Sequence, residues 1–191
     1  MTELLHELIV RYGLIAVFVG CIAEGESVAI IGGFFAHQHM MHLWAVYLLG
    51  FLGAFAGDTG FFLFGRFFSG NARVEALRSR PGFAQADAAV RNHPNIFVLS
   101  NRFIYGMRLV GGVAAGLSGI SLPRFLVLNA ASSALWAGLF VSLGYFFGIG
   151  AEQILGKALL RHEKLFIGLG VGIAVTVVAA LVAHHRSRKT A

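Results

Sequence analysis

From Leu14 to Ala36 the chain is apolar except for two charges, Glu24 and Glu26, which flank Gly25. A run of that length reads as a membrane segment. A carboxylate in hydrocarbon is costly unless it is paired, protonated or wetted. A second apolar stretch, 95–121, repeats the anomaly with bases, carrying Arg102 and Arg108 in its middle. Both stretches are also broken by glycine. Broken, charged backbone at membrane depth is tolerated where it is buried in protein or lines a wet cavity. Residues 12–36 and 95–121 are therefore expected to be re-entrant hairpins that enter and leave on one side. Stretches 43–65, 124–150 and 165–183 are long and apolar enough to cross. The predicted fold class is an all-α polytopic membrane protein, with two inverted re-entrant hairpins plus about three spanning helices.

Composition agrees with that class. The chain is 57% hydrophobic and 13% charged, where soluble domains carry about 25% charge. Its 25 glycines and 18 phenylalanines suit closely packed membrane helices. The net charge of +6 does not point to nucleic acid, because the arginines flank apolar spans. The single cysteine, Cys21, lies inside an apolar run and allows no intrachain disulfide. The first residues, "MTELLHELIVRYG", lack a basic leader, so no cleavable signal peptide is expected.

The remaining pieces organise around these stretches. Residues 1–11 are an N-terminal interfacial segment, 37–42 ("HQHMMH") a short loop, and 66–94 an amphipathic loop. Residues 151–164 form a further loop and 184–191 a basic tail. Placing 66–94 in the cytoplasm puts Arg66, Arg73, Arg78, Arg80, Arg91, Arg124, Arg186, Arg188 and Lys189 inside. Arg11, Lys157, Arg161 and Lys164 are then outside, in periplasmic segments, an asymmetry of the expected sign. A shift of 83 residues matches Gly33 with Gly116, Leu43 with Leu126 and Gly65 with Gly148, pairing hairpin-plus-span with hairpin-plus-span. One such unit starts outside and the other inside. Inverted repeats with broken helices are a transporter signature. In this register Gly25 falls on Arg108, so acids occupy one hairpin where bases occupy the other.

The charged residues suggest chemistry. Guanidinium stays charged and grips phosphate bidentately, so Arg102 and Arg108, brought together by a turn near Gly106, suit an anionic head group. The alternative is that they only neutralise Glu24, Glu26 or Asp58. Two carboxylates close together at low dielectric resist joint ionisation. Glu24 and Glu26 can therefore bind and release a proton, bind a head-group ammonium, or serve as fixed counter-ions. Asp58, inside stretch 43–65, either orients the hairpin arginines or contacts substrate or proton directly. His37, His39 and His42 read as an interfacial loop rather than a metal site. Trp44, Tyr47 and Trp136 read as interfacial or packing aromatics. No Ser-His-Asp arrangement, Walker loop or CxxC pair is visible, so neither an enzyme nor a cofactor is expected, and transport would be gradient-driven or downhill.

Three motifs carry a family resemblance. "GAFAGDTGFFLFGR" (53–66), "NRFIYGMRLVGGVAAG" (101–116) and "EGESVAIIGGFFA" (24–36) resemble, in order, the Gly-Asp motif, the arginine hairpin and the acidic hairpin of the DedA family. The resemblance runs from about residue 12 to about residue 150 of the chain. The compact "EGES" and "RFIYGMR" forms mark a subgroup, since many members have a proline-rich loop between the acids and proline where Tyr105 stands. The resemblance implies two opposed re-entrant hairpins and a bacterial inner-membrane location. It also implies movement of phosphate-headed lipids across the bilayer, such as undecaprenyl phosphate or phosphatidylethanolamine, with links to the proton-motive force. The partners would be a membrane phospholipid or polyprenyl phosphate, with homo-oligomerisation open. The rival expectations are a proton- or sodium-coupled small-ion antiporter and a membrane-embedded lipid phosphatase.

Overall fold

Glycines, prolines and polar breaks cut the chain into eight α-helices and one 3-10 turn among the described residues. The computed structural model describes residues 2–155 apart from 80, 81 and 105. The expected span 165–183, the tail 184–191 and most of the 151–164 loop lie outside the described residues. The helices are α1 (Thr2–Ala23), α2 (Glu26–His37), α3 (Leu43–Phe67), α4 (Ala72–Arg78) and α5 (Phe83–Asn92). After them come α6 (Pro94–Ser100), the 3-10 turn Asn101–Phe103, α7 (Arg108–Leu117) and α8 (Leu122–Leu155).

Each break has a local cause. Gly25 ends α1 and starts α2 at φ 107° and ψ −93°, a conformation that a Cβ makes costly. The two helices then fold back on one another. Asn71 caps α4 by accepting from the Arg73 amide at 2.9 Å. Pro94 opens α6 at its first position, where a missing N–H costs nothing. Gly106, at φ 77°, sits in the turn between the 3-10 segment and α7.

The helix breaks within 12–36 and 95–121 lie beside the charges, at Gly25 and ahead of Arg108, while three of the expected segments take a different form. α1 starts at Thr2, so residues 2–11 of the expected interfacial segment are helical and continuous with the first hairpin. α8 runs unbroken to Leu155, so the first residues of the expected 151–164 loop are its last turn. The 66–94 loop folds into α4 and α5. Phe83, Ala86 and Val90 form the buried face of α5, at helical spacing. That face joins Phe62, Val74, Leu77, Val110 and Val113 in one core. A second core gathers Val17, Cys21, Ala29, Val46, Ala54, Trp136 and Val141 from α1, α2, α3 and α8.

α3 and α8 are the helices long and apolar enough to cross a membrane among the described residues. At about 1.5 Å per residue they run about 38 and 51 Å, against a hydrocarbon core of about 30 Å. α2 and α7 reach only about 18 and 15 Å. Large apolar side chains stand exposed along α1 (Ile15, Val19), α3 (Leu48, Leu52) and α8 (Val127, Leu135, Leu143, Phe146). An outward apolar belt of that extent is costly in water and suits lipid.

The helices pair reciprocally. α2 packs on α8 as α7 packs on α3, and α1 packs on α3 as α6 packs on α8. The closest approaches repeat as well. A Cβ on Gly33 would lie 2.1 Å from the Val141 carbonyl oxygen, and one on Gly116 would lie 2.2 Å from that of Phe62. A Cβ on Gly144 would lie 1.9 Å from the Ile30 oxygen, and one on Gly65 would lie 2.4 Å from that of Val113. The hairpins thus match at the expected shift of 83 (116 − 33, 113 − 30), but the long helices match at 79 (144 − 65, 141 − 62). Gly65 corresponds to Gly144, not Gly148. The cause is the linker: α3 starts at Leu43 and α8 at Leu122, again 79 apart. The offset of four is about one helical turn, so both registers keep the same face inward.

Candidate functional site

Asp58 is buried on α3, one residue after Gly57. Both of its carboxylate oxygens are committed. Oδ2 accepts from Arg102 Nη2 at 2.8 Å and Oδ1 accepts from Arg108 Nε at 2.7 Å. The two arginines of the second hairpin therefore converge on one carboxylate from the long helix between the hairpins. A carboxylate between two guanidinium groups leaves one positive charge over.

The two arginines are held differently. Arg102 is 4% exposed. Its Nη1 donates to Ser133 Oγ at 2.5 Å and its Nη2 also donates to the Ala54 carbonyl at 3.2 Å. The guanidinium lies 5.2 Å from the Trp136 ring centre. Its Nε is buried without a hydrogen-bond partner among the described residues. Arg108 is more open. Its Nη2 donates to the Cys21 carbonyl at 3.1 Å, and its Nη1 makes a long 3.4 Å contact with the Glu24 carbonyl. Those carbonyls belong to the end of α1, where backbone acceptors lack helical partners and the helix dipole is negative. Arg108 thus ties the second hairpin to the tip of the first. A Cβ on Gly25 would come 3.4 Å from Arg108 Nη1, so the residues matched in the repeat register face each other.

The first hairpin's acids divide. The Glu24 side chain is exposed and accepts from Ser27 Oγ at 3.2 Å. Glu26 lines a narrow crevice with Cys21, Ala54, Arg102, Arg108 and Trp136. It makes no ion pair with either arginine, as their paired carboxylate is Asp58. The crevice is filled by these side chains, leaving no room for a phosphate. α2 begins at Glu26 and α7 at Arg108, so the positive ends of two short helices meet at the crevice.

Two contributors, Ser133 and Asn129, were not singled out from sequence. Ser133 and Trp136 belong to "NAASSALW" (129–136) on α8. Asn129 of the same run donates from Nδ2 to the Phe55 carbonyl at 3.0 Å and to Thr59 Oγ1 at 3.1 Å. Ser133 Oγ reaches Asn129 Oδ1 at 3.3 Å. Three polar residues at helical spacing in an apolar span were the available signal. Trp136 is buried beneath Arg102 rather than interfacial, while Trp44 is exposed. Of the loop histidines, His37 is the last residue of α2 and pairs with Glu152 at 2.9 Å, far along the chain from the arginine centre.

Residues 23–146 match the VTT domain, about two thirds of the chain. The chain belongs to the VTT-domain (DedA) family. It is 36% identical over 141 residues to the inner membrane protein YohD of Escherichia coli K12, covering 74% of this chain and 73% of that one. It is 30% identical over 173 residues to the membrane protein slr0232 of Synechocystis, covering 80% and 76%. The Bacillus subtilis membrane protein YbfM is 23% identical over 159 residues, covering 77% and 98%. No solved structure matches significantly. The protein is accordingly a membrane protein, and the VTT domain contains the whole charged centre: Glu24, Glu26, Asp58, Arg102 and Arg108.

Proposed function

We propose that this VTT-domain protein moves phosphate-headed lipids across a bacterial inner membrane, with Arg102 and Arg108 receiving the phosphate. The observation that carries the reading is the Arg102–Asp58–Arg108 centre: two guanidinium groups on one buried carboxylate. Its spare positive charge and the two converging helix N-termini favour an anion there. The buried Arg102 Nε supplies a donor in need of an acceptor. Asp58 orients both arginines, and Trp136 with Ser133 fixes Arg102, leaving Arg108 as the more exposed ligand.

The structure is then the closed state of the cycle. In it Glu26 is the carboxylate that offsets the spare charge from across the crevice. A phosphate entering between the hairpin tips displaces that role. The chain of the lipid stays outside while the head passes between the tips. Reciprocal helix pairing supplies two arrangements related by a rocking of one unit against the other. No covalent step is involved, so the protein acts as a transporter and not an enzyme. Undecaprenyl phosphate and glycerophospholipids such as phosphatidylethanolamine share the required phosphate.

The test is reconstitution in liposomes with a panel of labelled lipids. Phosphate-headed lipids should cross faster than in protein-free vesicles, and diacylglycerol should show no protein-dependent gain. Acceleration of all lipids alike, or of none, would overturn the reading. Protein-dependent transport of small cations in the same vesicles without movement of any labelled lipid would favour an antiporter instead.

The role of Glu26 gives a second expected result. Glu26→Gln, which removes the charge that competes with the phosphate beside Arg102 and Arg108, should raise the transport rate of a phosphate-headed lipid, while Glu24→Gln, at an exposed side chain, should leave it near wild type. An unchanged rate in Glu26→Gln would remove this residue from the account.

A further inference from the structure

Beside the arginine centre lies an open cavity of about 650 Å³, within the range of about 300–1,000 Å³ typical of small-molecule sites. Its wall is apolar: Ile22 from α1, Gly57, Gly60 and Phe61 from α3, and Leu109 from α7 among others. The one charged residue lining it among the described residues is Arg73, on α4. Arg73 is exposed, and its guanidinium makes no ion pair among the described residues, whereas its neighbours Arg78 and Arg91 are paired. The other end of the cavity backs onto Arg108. A Cβ on Gly57 would lie 2.5 Å from Arg108 Nη2, and the Phe61 ring centre is 5.9 Å from the Arg108 guanidinium carbon. From Gly57 to Phe64 the cavity follows α3 for about 10 Å.

An apolar trough with an unpaired cation at one mouth and a phosphate-seeking guanidinium behind the other end fits an amphiphile, not a small ion. We infer that this groove is the docking site of a chain-bearing phosphate lipid, with hydrocarbon along α3 between α1 and α7 and the phosphate held first by Arg73. Sliding along the groove toward Gly57 delivers the head to Arg108 without withdrawing the chain from an apolar surface. Arg73 is thus a capture residue at the membrane surface, distinct from the membrane-depth pair. The inference rests on the lipid reading above and adds where the chain lies and where the head is first bound.

Gly60 allows the groove to be filled without disturbing the fold, because nothing lies within 4 Å of a Cβ placed there. The experiment is equilibrium binding of phosphatidic acid to the purified full chain in detergent, with long-chain and dibutyryl forms compared. Gly60→Leu should weaken long-chain binding about tenfold, roughly the burial of two methylene groups, and leave the dibutyryl form unaffected. Arg73→Gln should weaken long-chain phosphatidic acid binding by a similar factor and flatten its salt dependence, with no effect on diacylglycerol. Unfolding temperatures should match wild type in both. Wild-type affinity for long-chain phosphatidic acid in either variant overturns the groove. If Arg108→Lys nevertheless loses both chain lengths, the head-group reading stands without it. If the wild type binds phosphatidic acid no better than diacylglycerol, both fall.

Discussion

Asp58→Asn should be the most damaging single substitution in the chain. It removes the one carboxylate that two guanidinium groups share and leaves Arg102, 4% exposed, as an uncompensated buried cation. Breaking a buried pair from one side costs about 3–5 kcal/mol, because the remaining charge keeps its desolvation penalty. The neighbouring acceptors, Ser133 Oγ and the Ala54 carbonyl, are dipoles and offset only part of it. The measurement is thermal unfolding in detergent followed by tryptophan fluorescence, to which Trp136 contributes from beside Arg102. The double variant Asp58→Asn with Arg102→Gln should recover much of the loss, since both charges are then gone, yet remain inactive. An Asp58→Asn variant as stable as wild type would show that the centre does not hold the second hairpin in place.

The second large effect concerns the reciprocal helix contacts. Gly144→Val should separate α8 from α2, because even a Cβ there would meet the Ile30 carbonyl oxygen at 1.9 Å. Backbone cannot rotate aside as a side chain can. The cost should therefore exceed the about 1–3 kcal/mol of ordinary overpacking. Gly65→Val should behave alike at the α3–α7 contact, and Gly138→Ala, with nothing within 4 Å, should be neutral. Equal effects at Gly138 and Gly144 in the same unfolding assay would contradict the packing. If Gly148→Ala also proves damaging, the reason is local: its Cβ would strike the His37 ring, at 2.6 Å, not the backbone of a partner helix.

These two cases also show what was legible from residues alone. Charges inside apolar runs marked the helix breaks at Gly25 and ahead of Arg108, because no lipid-facing helix tolerates them unpaired. The Gly25 break was legible for the same reason, as glycine between two acids marks a turn and not a span. The pairing of Asp58 with both arginines was one of two readings, and only the fold decides it. The span register was not legible. Matches among common residues score alike one turn apart, and only backbone contacts separate 79 from 83. α1 extends to Thr2 although its first residues are mixed in character and carry no sustained apolar pattern. Ser133 and Trp136 were visible as residues but not as partners of Arg102, because a long-range contact leaves no local trace.

The central claim is that the arginine centre binds a lipid phosphate, and Arg108→Lys tests it most directly. Lysine keeps the charge but loses the planar fork. A counter-ion of Asp58 alone would be served by either side chain. A phosphate ligand would not, and the expected loss is about 1–3 kcal/mol of transition-state or binding free energy, the scale of one or two charge-assisted hydrogen bonds. The measurement is translocation of a phosphate-headed lipid in proteoliposomes, set beside unfolding temperature in detergent for the same preparations. The account predicts an Arg108→Lys protein that keeps its unfolding temperature within a few degrees and loses at least about four-fifths of its transport rate. A folded Arg108→Lys protein that transports at the wild-type rate would contradict it.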